Sequence, residues 1–154
     1  YICFNARSDR YFVVKGINNQ RTQAQSDMRN CSIEKFGAMS DKVKDYGIKT
    51  VRMGALSEGT KDGSNVIDYS SYARDPFMDY YLISECEFVV CQYSGFHYMA
   101  VLFNKPTVIT DAINLTIKGD IADIVNPRQD IMLLKKIYSN KVNRLNVLVV
   151  ISFP

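Results

Sequence analysis

The sequence predicts an α/β fold with a Rossmann-like, mostly parallel sheet flanked by helices. Three observations lead to this prediction. Short apolar runs of strand type alternate with helical runs along most of the chain, as in sheets built from β-α-β units. The stretch "EFVVCQYSGFHYMAVLF" (87–103) passes from an apolar run through a Ser-Gly pair into helical sequence. Polar residues follow directly on several strand-like runs, where the loops of a parallel sheet gather to bind ligands.

The first half of the chain predicts two strands and a helix. "YICFNA" (1–6) is strand-like, and the polar stretch 5–30 predicts a long surface loop. "CSIEKFGAMSDKVKDYG" (31–47) predicts a helix capped by Ser32 and closed by Gly47. Its apolar stripe has helical spacing and consists of Ile33, Phe36, Met39 and Val43. "IKTVRMG" (48–54) is the second predicted strand.

The second half continues the alternation. "SNVIDYS" (64–70) contains a short third strand, and Asp75 with Pro76 predicts the start of a helix. A fourth strand, a helix and a fifth strand are predicted in "EFVVCQY", "GFHYMAVLFN" and "KPTVITD". "DIMLLKKI" (130–137) suits a strand or a helix, and "LNVLVVISF" (145–153) suits another strand.

Composition and charge narrow the function classes. With 47% hydrophobic and 23% charged residues, the 154-residue chain has a globular composition and suffices for a single domain, 1–154. Its 19 basic and 16 acidic residues leave a net charge of +3, too small to predict a nucleic-acid partner. The longest apolar run falls far short of the ~20 residues of a membrane-spanning helix. Because the chain starts inside a predicted strand and stops after an apolar run, we expect an excerpt of a longer protein.

The cysteines indicate a reducing environment. Cys3, Cys31, Cys86 and Cys91 form no C-x-x-C pair, and no histidines stand at zinc spacing beside them. Cys3 and Cys91 lie in apolar runs, where a free cysteine behaves as a small hydrophobe. We therefore expect buried free thiols and a cytoplasmic location, either free or peripheral at the inner face of the membrane.

Ser94 and Gly95 are the most specific candidate for a binding site. A strand, a small-residue turn and a helix present backbone N–H groups to a phosphate or carboxylate. The competing interpretation is that serine and glycine serve only the geometry of the turn. His97, the only histidine of the chain, falls in the first turn of this helix and is a candidate for hydrogen bonding to the ligand.

Charged residues after other strands extend this candidate site. Arg7 and Arg52 follow strand-like runs, so the fold prediction brings both guanidinium groups, which suit bidentate phosphate contacts, to the same rim. The competing interpretation is a pair of solvated surface arginines. Asp9 is the candidate base for an acceptor hydroxyl, while Asp111 is predicted to follow the fifth strand. Glycine-loop, G-x-G-x-x-G, G-x-S-x-G and H-E-x-x-H motifs do not occur.

Four quoted segments resemble the C-terminal part of a bacterial glycosyltransferase family associated with surface polysaccharides and glycoconjugates. They are "YICFNARSDRYF", "MRNCSIEKFGAMSDKVKDYGIKTVRMG", "NVIDYS" and "FMDYYLISECEFVVCQYSGFHYMAVLFNKPTVITD". "ICFNAR" and "CEFVVCQYSGF" are also distantly similar to motifs of fucosyltransferases that use GDP-fucose without a metal. The resemblance implies one half of a GT-B architecture, the half that holds a nucleotide-diphosphate sugar donor.

The resemblance also implies roles for individual residues. Arg7 would contact the donor diphosphate. The predicted catalytic residues are then Arg7, by this contact, and Asp9, as the candidate base identified from its place in the loop. The other donor-binding positions would be Arg29, Asn30, Arg52, Gly54, Asp68, Tyr69, Ser94 and Gly95. His97 joins the predicted donor-binding residues because of its place in the helix after Ser94, not because of the resemblance. One departure stands out, because Asn5 occupies a place where the family has histidine, and asparagine cannot serve as a base.

The function implied is metal-independent transfer of a sugar to a glycan or lipid-linked acceptor. Arginine and a helix start would replace the metal, in keeping with the lack of an Asp-x-Asp motif. No cofactor besides the donor is expected, and the N-terminal half of the enzyme is the expected partner. The alternatives are a sugar-nucleotide epimerase and a non-catalytic nucleotide-sugar-binding or interaction module. The sequence leaves open the base, the sugar, the acceptor and the stereochemistry of transfer.

Overall fold

A parallel sheet organises the chain in the computed structural model, which describes residues 1–16, 30–54, 65–71, 75–112 and 131–134. Its strands are β1 (Ile2–Asn5), β2 (Thr50–Arg52), β3 (Val66–Ile67), β4 (Val89–Cys91), β5 (Thr107–Ala112) and β6 (Ile131–Leu134). They lie in the order β3-β2-β1-β4-β5-β6, and every neighbouring pair is parallel. This is a doubly wound order of Rossmann type, which confirms the predicted α/β fold.

Helices cover both faces of the sheet. They are α1 (Arg10–Val14), α2 (Glu34–Lys44), α3 (Pro76–Glu85) and α4 (Gly95–Leu102), with a 3₁₀ helix at Tyr69–Ser71. None of the helices in the described part of the chain has the length and apolar character needed to cross a bilayer.

Side-chain alternation along the strands creates two separate cores. Ile2 and Phe4 of β1 pack towards α2, where the Phe4 ring stacks on Phe36 with the centroids 5.1 Å apart. Cys3, between them in sequence, packs on the opposite face with Ile83 of α3 and other buried residues. Successive residues of a strand point to opposite faces, so a strand buried on both sides reads as a continuous apolar run. The run "ICF" is such a case.

The predicted helix signals are largely confirmed. The Asp75 carboxylate accepts a hydrogen bond from the backbone N–H of Phe77 at 2.7 Å, with Pro76 as the first residue of α3. Ser32 accepts from the N–H of Glu34 at 3.3 Å, although α2 begins one residue later than a Ser32 cap predicts. Gly47 adopts φ +72° after α2, a conformation that side chains disfavour and glycine permits.

One expectation from the sequence is wrong, one open alternative is decided, and one predicted strand lies outside the described residues. Helix α1 falls inside the stretch predicted as a loop, because five residues are too few to show helical periodicity. "DIMLLKKI", which suited either element, contributes strand β6. The predicted final strand at 145–153 lies outside the described residues.

A buried polar network anchors the short strand β3. The amide nitrogen of Asn65 donates to the backbone oxygens of Ser40 and Ile48 at 2.8 and 3.0 Å. The Ser40 and Thr50 hydroxyl groups share a hydrogen bond of 2.6 Å. Since buried polar groups require partners, this network ties the start of β3 to α2 and β2, and it thereby positions Asp68 at the end of β3.

The prediction that the cysteines carry thiols and form no disulfides is confirmed. None of the four cysteines, which all lie in described parts of the chain, forms a disulfide; Cys3, Cys86 and Cys91 are buried, and Cys31 is half-buried.

Candidate functional site

The candidate site lies where the strand order reverses. From β1 the chain proceeds to β2 on one side of the sheet, and β4 leads to β5 on the other. Ligands of doubly wound sheets bind at such a point, in the crevice beyond the carboxyl ends of the two central strands. Here the loop after β1 contacts the loop after β4 directly, because the backbone N–H of Arg7 donates to Oε1 of Gln92 at 2.7 Å.

Arg7, Asp9 and Asn30 form one polar cluster beside this crevice. Arg7 Nη1 donates to Asn30 Oδ1 at 2.6 Å, and Nη2 lies 3.4 Å from Asp9 Oδ1. Asn30 in turn donates through Nδ2 to Asp9 Oδ2 at 2.9 Å. The structure therefore brings together three predicted site residues that are up to 23 positions apart in sequence.

Arg7 is buried and already paired within this cluster. Its side chain is only 9% exposed, and a carboxylate already lies against the guanidinium group. The interpretation as a solvated surface arginine is therefore wrong, and the buried guanidinium group has Asp9 as its counter-charge. Asp9 likewise uses both carboxylate oxygens as acceptors for Arg7 and Asn30. Arg29, the neighbour of Asn30, lies outside the described residues.

Ser94 and Gly95 stand at the start of α4, as predicted. The Ser94 hydroxyl oxygen accepts from the N–H of Phe96 at 3.3 Å, which makes Ser94 the N-cap. The backbone oxygen of Ser94 accepts from the N–H of His97 at 3.0 Å. The hydroxyl group can still donate its own hydrogen while it accepts in the cap, and the positive end of the helix dipole favours an anion here.

His97 is buried in the first turn of α4 among aromatic rings. It is fully buried, and neither ring nitrogen has a hydrogen-bond partner among the described residues. The ring lies against two aromatic rings, with centroid distances of 5.7 Å to Tyr93 and 6.0 Å to Tyr98. Side chains on a helix lean towards its N-terminus, so the imidazole is inclined towards the loop that carries Ser94. Burial lowers the pKa of His97 below the usual 6.5.

We expect His97→Leu to stabilise the fold by about 1–3 kcal/mol, the usual cost of a buried group without a partner. The gain should grow on acidification. The unfolded chain takes up a proton near pH 6.5 and the buried ring resists it, so wild-type stability is lost as pH falls below that value. Urea unfolding between pH 5 and 8 measures both effects.

His97→Gln is the matched control for this prediction, because it keeps a buried polar group and should bring no such gain. Equal stability of His97→Leu and the wild-type protein at all pH values would contradict the prediction.

Arg52 and Asp68 form a buried ion pair. Arg52 Nη1 lies 3.2 Å from Asp68 Oδ2, and the two side chains are 3% and 6% exposed. Ser70 donates a short hydrogen bond to the other oxygen of Asp68, while Arg52 Nε has no partner among the described residues. Arg52 is the last residue of β2, in register with Phe4. Arg52 therefore ends the strand and does not follow it as predicted, and its guanidinium group is buried against Asp68.

Gly54 and Tyr69 have structural contacts that explain their residue types. Gly54 has φ +126°, and a Cβ atom there would lie 2.5 Å from the side-chain nitrogen of Asn5. That nitrogen donates to the backbone oxygen of Met53 at 3.1 Å, so Asn5 links the end of β1 to the residue that follows β2. The Tyr69 hydroxyl lies 3.3 Å from the backbone oxygen of Asp75 and 3.2 Å from its nitrogen, at the entry to α3.

Gln92 is a residue of the site that the sequence did not predict. Gln92 is 2% exposed and bridges Arg7 to Thr110, to which its Nε2 donates at 2.8 Å. A glutamine that ends an apolar run is a signal that could have identified it, since buried amides need partners. Asp111 was predicted to follow the fifth strand, but the structure places it within β5. Its φ is +52°, and it lies beside an irregularity in the register between β5 and β6.

Comparison with known proteins identifies no relative. No family model, curated protein or solved structure matches the chain. Among the described residues, no group of three or more histidine, cysteine, aspartate or glutamate side chains is placed to hold a metal ion.

Proposed function

We propose that the chain is the donor-binding half of a metal-independent GT-B glycosyltransferase that takes a nucleotide-diphosphate sugar. The observation that carries the proposal is the junction at the reversal of strand order. There the Arg7 loop is hydrogen-bonded to Gln92, two residues before the N-cap of α4. A guanidinium group and a helix start at one crevice suit a diphosphate.

The chemistry of transfer explains why these groups would matter. Cleavage of the bond between the sugar and the diphosphate leaves negative charge on the departing oxygen. Arg7 and the first turn of α4 would stabilise that charge more strongly in the transition state than in the ground state. Because Asp9 lies on the same guanidinium group, an incoming diphosphate would compete with this carboxylate for Arg7.

The acceptor and the second half of the enzyme complete the proposal. The acceptor would be a glycan or a lipid-linked saccharide, bound between this domain and an N-terminal half. Such an enzyme would work in the cytoplasm or at the inner face of the membrane.

A non-catalytic nucleotide-sugar-binding module is the second candidate. The contact of Asn5 with Met53 favours it, because the position that resembles a family histidine serves here as a strand fastener. A sugar-nucleotide epimerase fits less well, since it needs several acid and base groups around the sugar and the only histidine is fully buried.

Nucleotide binding tests the proposal. We expect GDP, UDP or CMP, or one of their sugars, to raise the melting temperature, since a ligand that binds only the folded state stabilises it by mass action. Release of free nucleotide from that sugar donor by the natural full-length protein, in the presence of acceptor, would support the transferase. Binding without release would favour the non-catalytic module, and no shift with any nucleotide would contradict both.

A further inference from the structure

Asp111 stands at the carboxyl edge of β5 in an unusual backbone conformation. Its φ of +52° lies in the left-handed region, which non-glycine residues seldom adopt and which often marks functional positions. Its carboxylate accepts from the Cys31 thiol at 3.0 Å through Oδ2 and from Lys35 at 3.3 Å through Oδ1. The side chain of Asp111 is 12% exposed.

Two hydrogen-bonded routes connect Asp111 to the candidate site. In the first, Arg7 donates to Gln92, and Gln92 donates to Thr110, the residue before Asp111. In the second, the backbone N–H of Cys31 donates to the backbone oxygen of Arg7 at 3.1 Å, while its thiol donates to Asp111. Two residues, Gln92 and Thr110, separate Asp111 from Arg7 on the first route, and one residue, Cys31, separates them on the second.

The partners of Asp111 differ from those of the other carboxylates at this edge. Asp9 is held by the guanidinium group of Arg7 and the amide of Asn30. Asp68 is held by Arg52 in a buried pair. A thiol is a weak donor, and Lys35 is 63% exposed, so its pairing with Asp111 contributes little and breaks easily.

We propose that Asp111 is the catalytic base that accepts the proton of the acceptor hydroxyl, an inference that rests on the proposed function. In the step, the O–H bond of the acceptor breaks and its proton moves to the carboxylate of Asp111. The acceptor oxygen forms a bond to the anomeric carbon. The bond from that carbon to the diphosphate breaks, and its electron pair departs with the diphosphate. Direct displacement of this kind inverts the anomeric configuration.

Asp111→Asn in the natural full-length protein tests this assignment. Asparagine has the same shape and tolerates left-handed backbone, so the fold and the donor site should be preserved. We expect kcat to fall by about 100-fold or more, with the donor KM and the melting shift caused by the nucleotide unchanged. The product should have the inverted configuration by NMR. Asp41→Asn is the matched control, since it makes the same charge change at an exposed position of α2 and should leave kcat unaltered.

Asp111→Gly provides a second variant that also suits φ +52°. The space left by the side chain should admit formate, and formate should restore part of the lost rate if a carboxylate base is what was removed. Undiminished kcat in Asp111→Asn, or retention of configuration, would overturn the assignment while the proposed function stands. Absence of transfer by the wild-type protein would overturn both.

Discussion

Replacing Asp68 by alanine should lower the free energy of unfolding by about 3–5 kcal/mol. The change leaves the guanidinium group of Arg52 buried at 3% exposure without its carboxylate, and Arg52 Nε already lacks a partner among the described residues. An isolated buried charge costs far more than a surface one. Since whole domains are stable by only about 5–15 kcal/mol, urea unfolding at neutral pH should show a large fall in the midpoint.

The double variant Arg52→Met/Asp68→Leu tests whether the instability of Asp68→Ala comes from the unpaired buried charge of Arg52. A fold that needs the ion pair itself would be destabilised in the double variant as well. Apolar residues of similar volume often replace a buried ion pair without cost, so we expect the double variant to regain most of the stability. It also tests the role that the sequence predicted for Arg52. If the double variant still binds nucleotide, the role of the ion pair is structural. If a stable double variant no longer binds nucleotide, Arg52 contributes to donor binding as the sequence predicted.

Replacing Arg7 by alanine should strongly impair the proposed transfer of sugar from the donor. Removing a preorganised group that stabilises developing charge costs about 100-fold or more in rate. We expect that loss in kcat/KM for the sugar donor, together with loss of the melting shift that the nucleotide causes in the wild-type protein. Steady-state kinetics of the natural full-length protein and thermal melting with and without nucleotide provide the measurements.

Two variants control for charge and fold in this experiment. Lys49→Ala removes one positive charge from an exposed position and should leave donor binding intact. Arg7→Lys keeps the charge but lacks the planar fork, so an intermediate rate is expected. Because Asp9 and Asn30 both contact Arg7, the unfolding free energy of Arg7→Ala must also be measured. Normal nucleotide binding by a folded Arg7→Ala variant would contradict the donor-site assignment.

The sequence alone determined the fold class and the main elements. Local signals suffice when they are strong, as with Asp75 and Pro76 at the start of α3 and Ser94 and Gly95 at the start of α4. Strand-like runs buried on both faces likewise indicate a parallel sheet. A parallel sheet restricts the possible topologies, because parallel strands need crossover connections. It also brings the carboxyl ends of the strands to one edge, where ligands bind.

Only the tertiary structure decided which charged residues meet. The pairing of Arg7 with Asp9 and Asn30, and of Arg52 with Asp68, depends on side-chain direction and on contacts between distant segments. The same holds for Asp111, which reaches Cys31 across 80 residues from an irregular end of β5. Periodicity shows that a strand ends near a charged residue. Whether that residue turns outwards or pairs inside is settled by the cost of burying charge, which depends on the partners that the fold supplies.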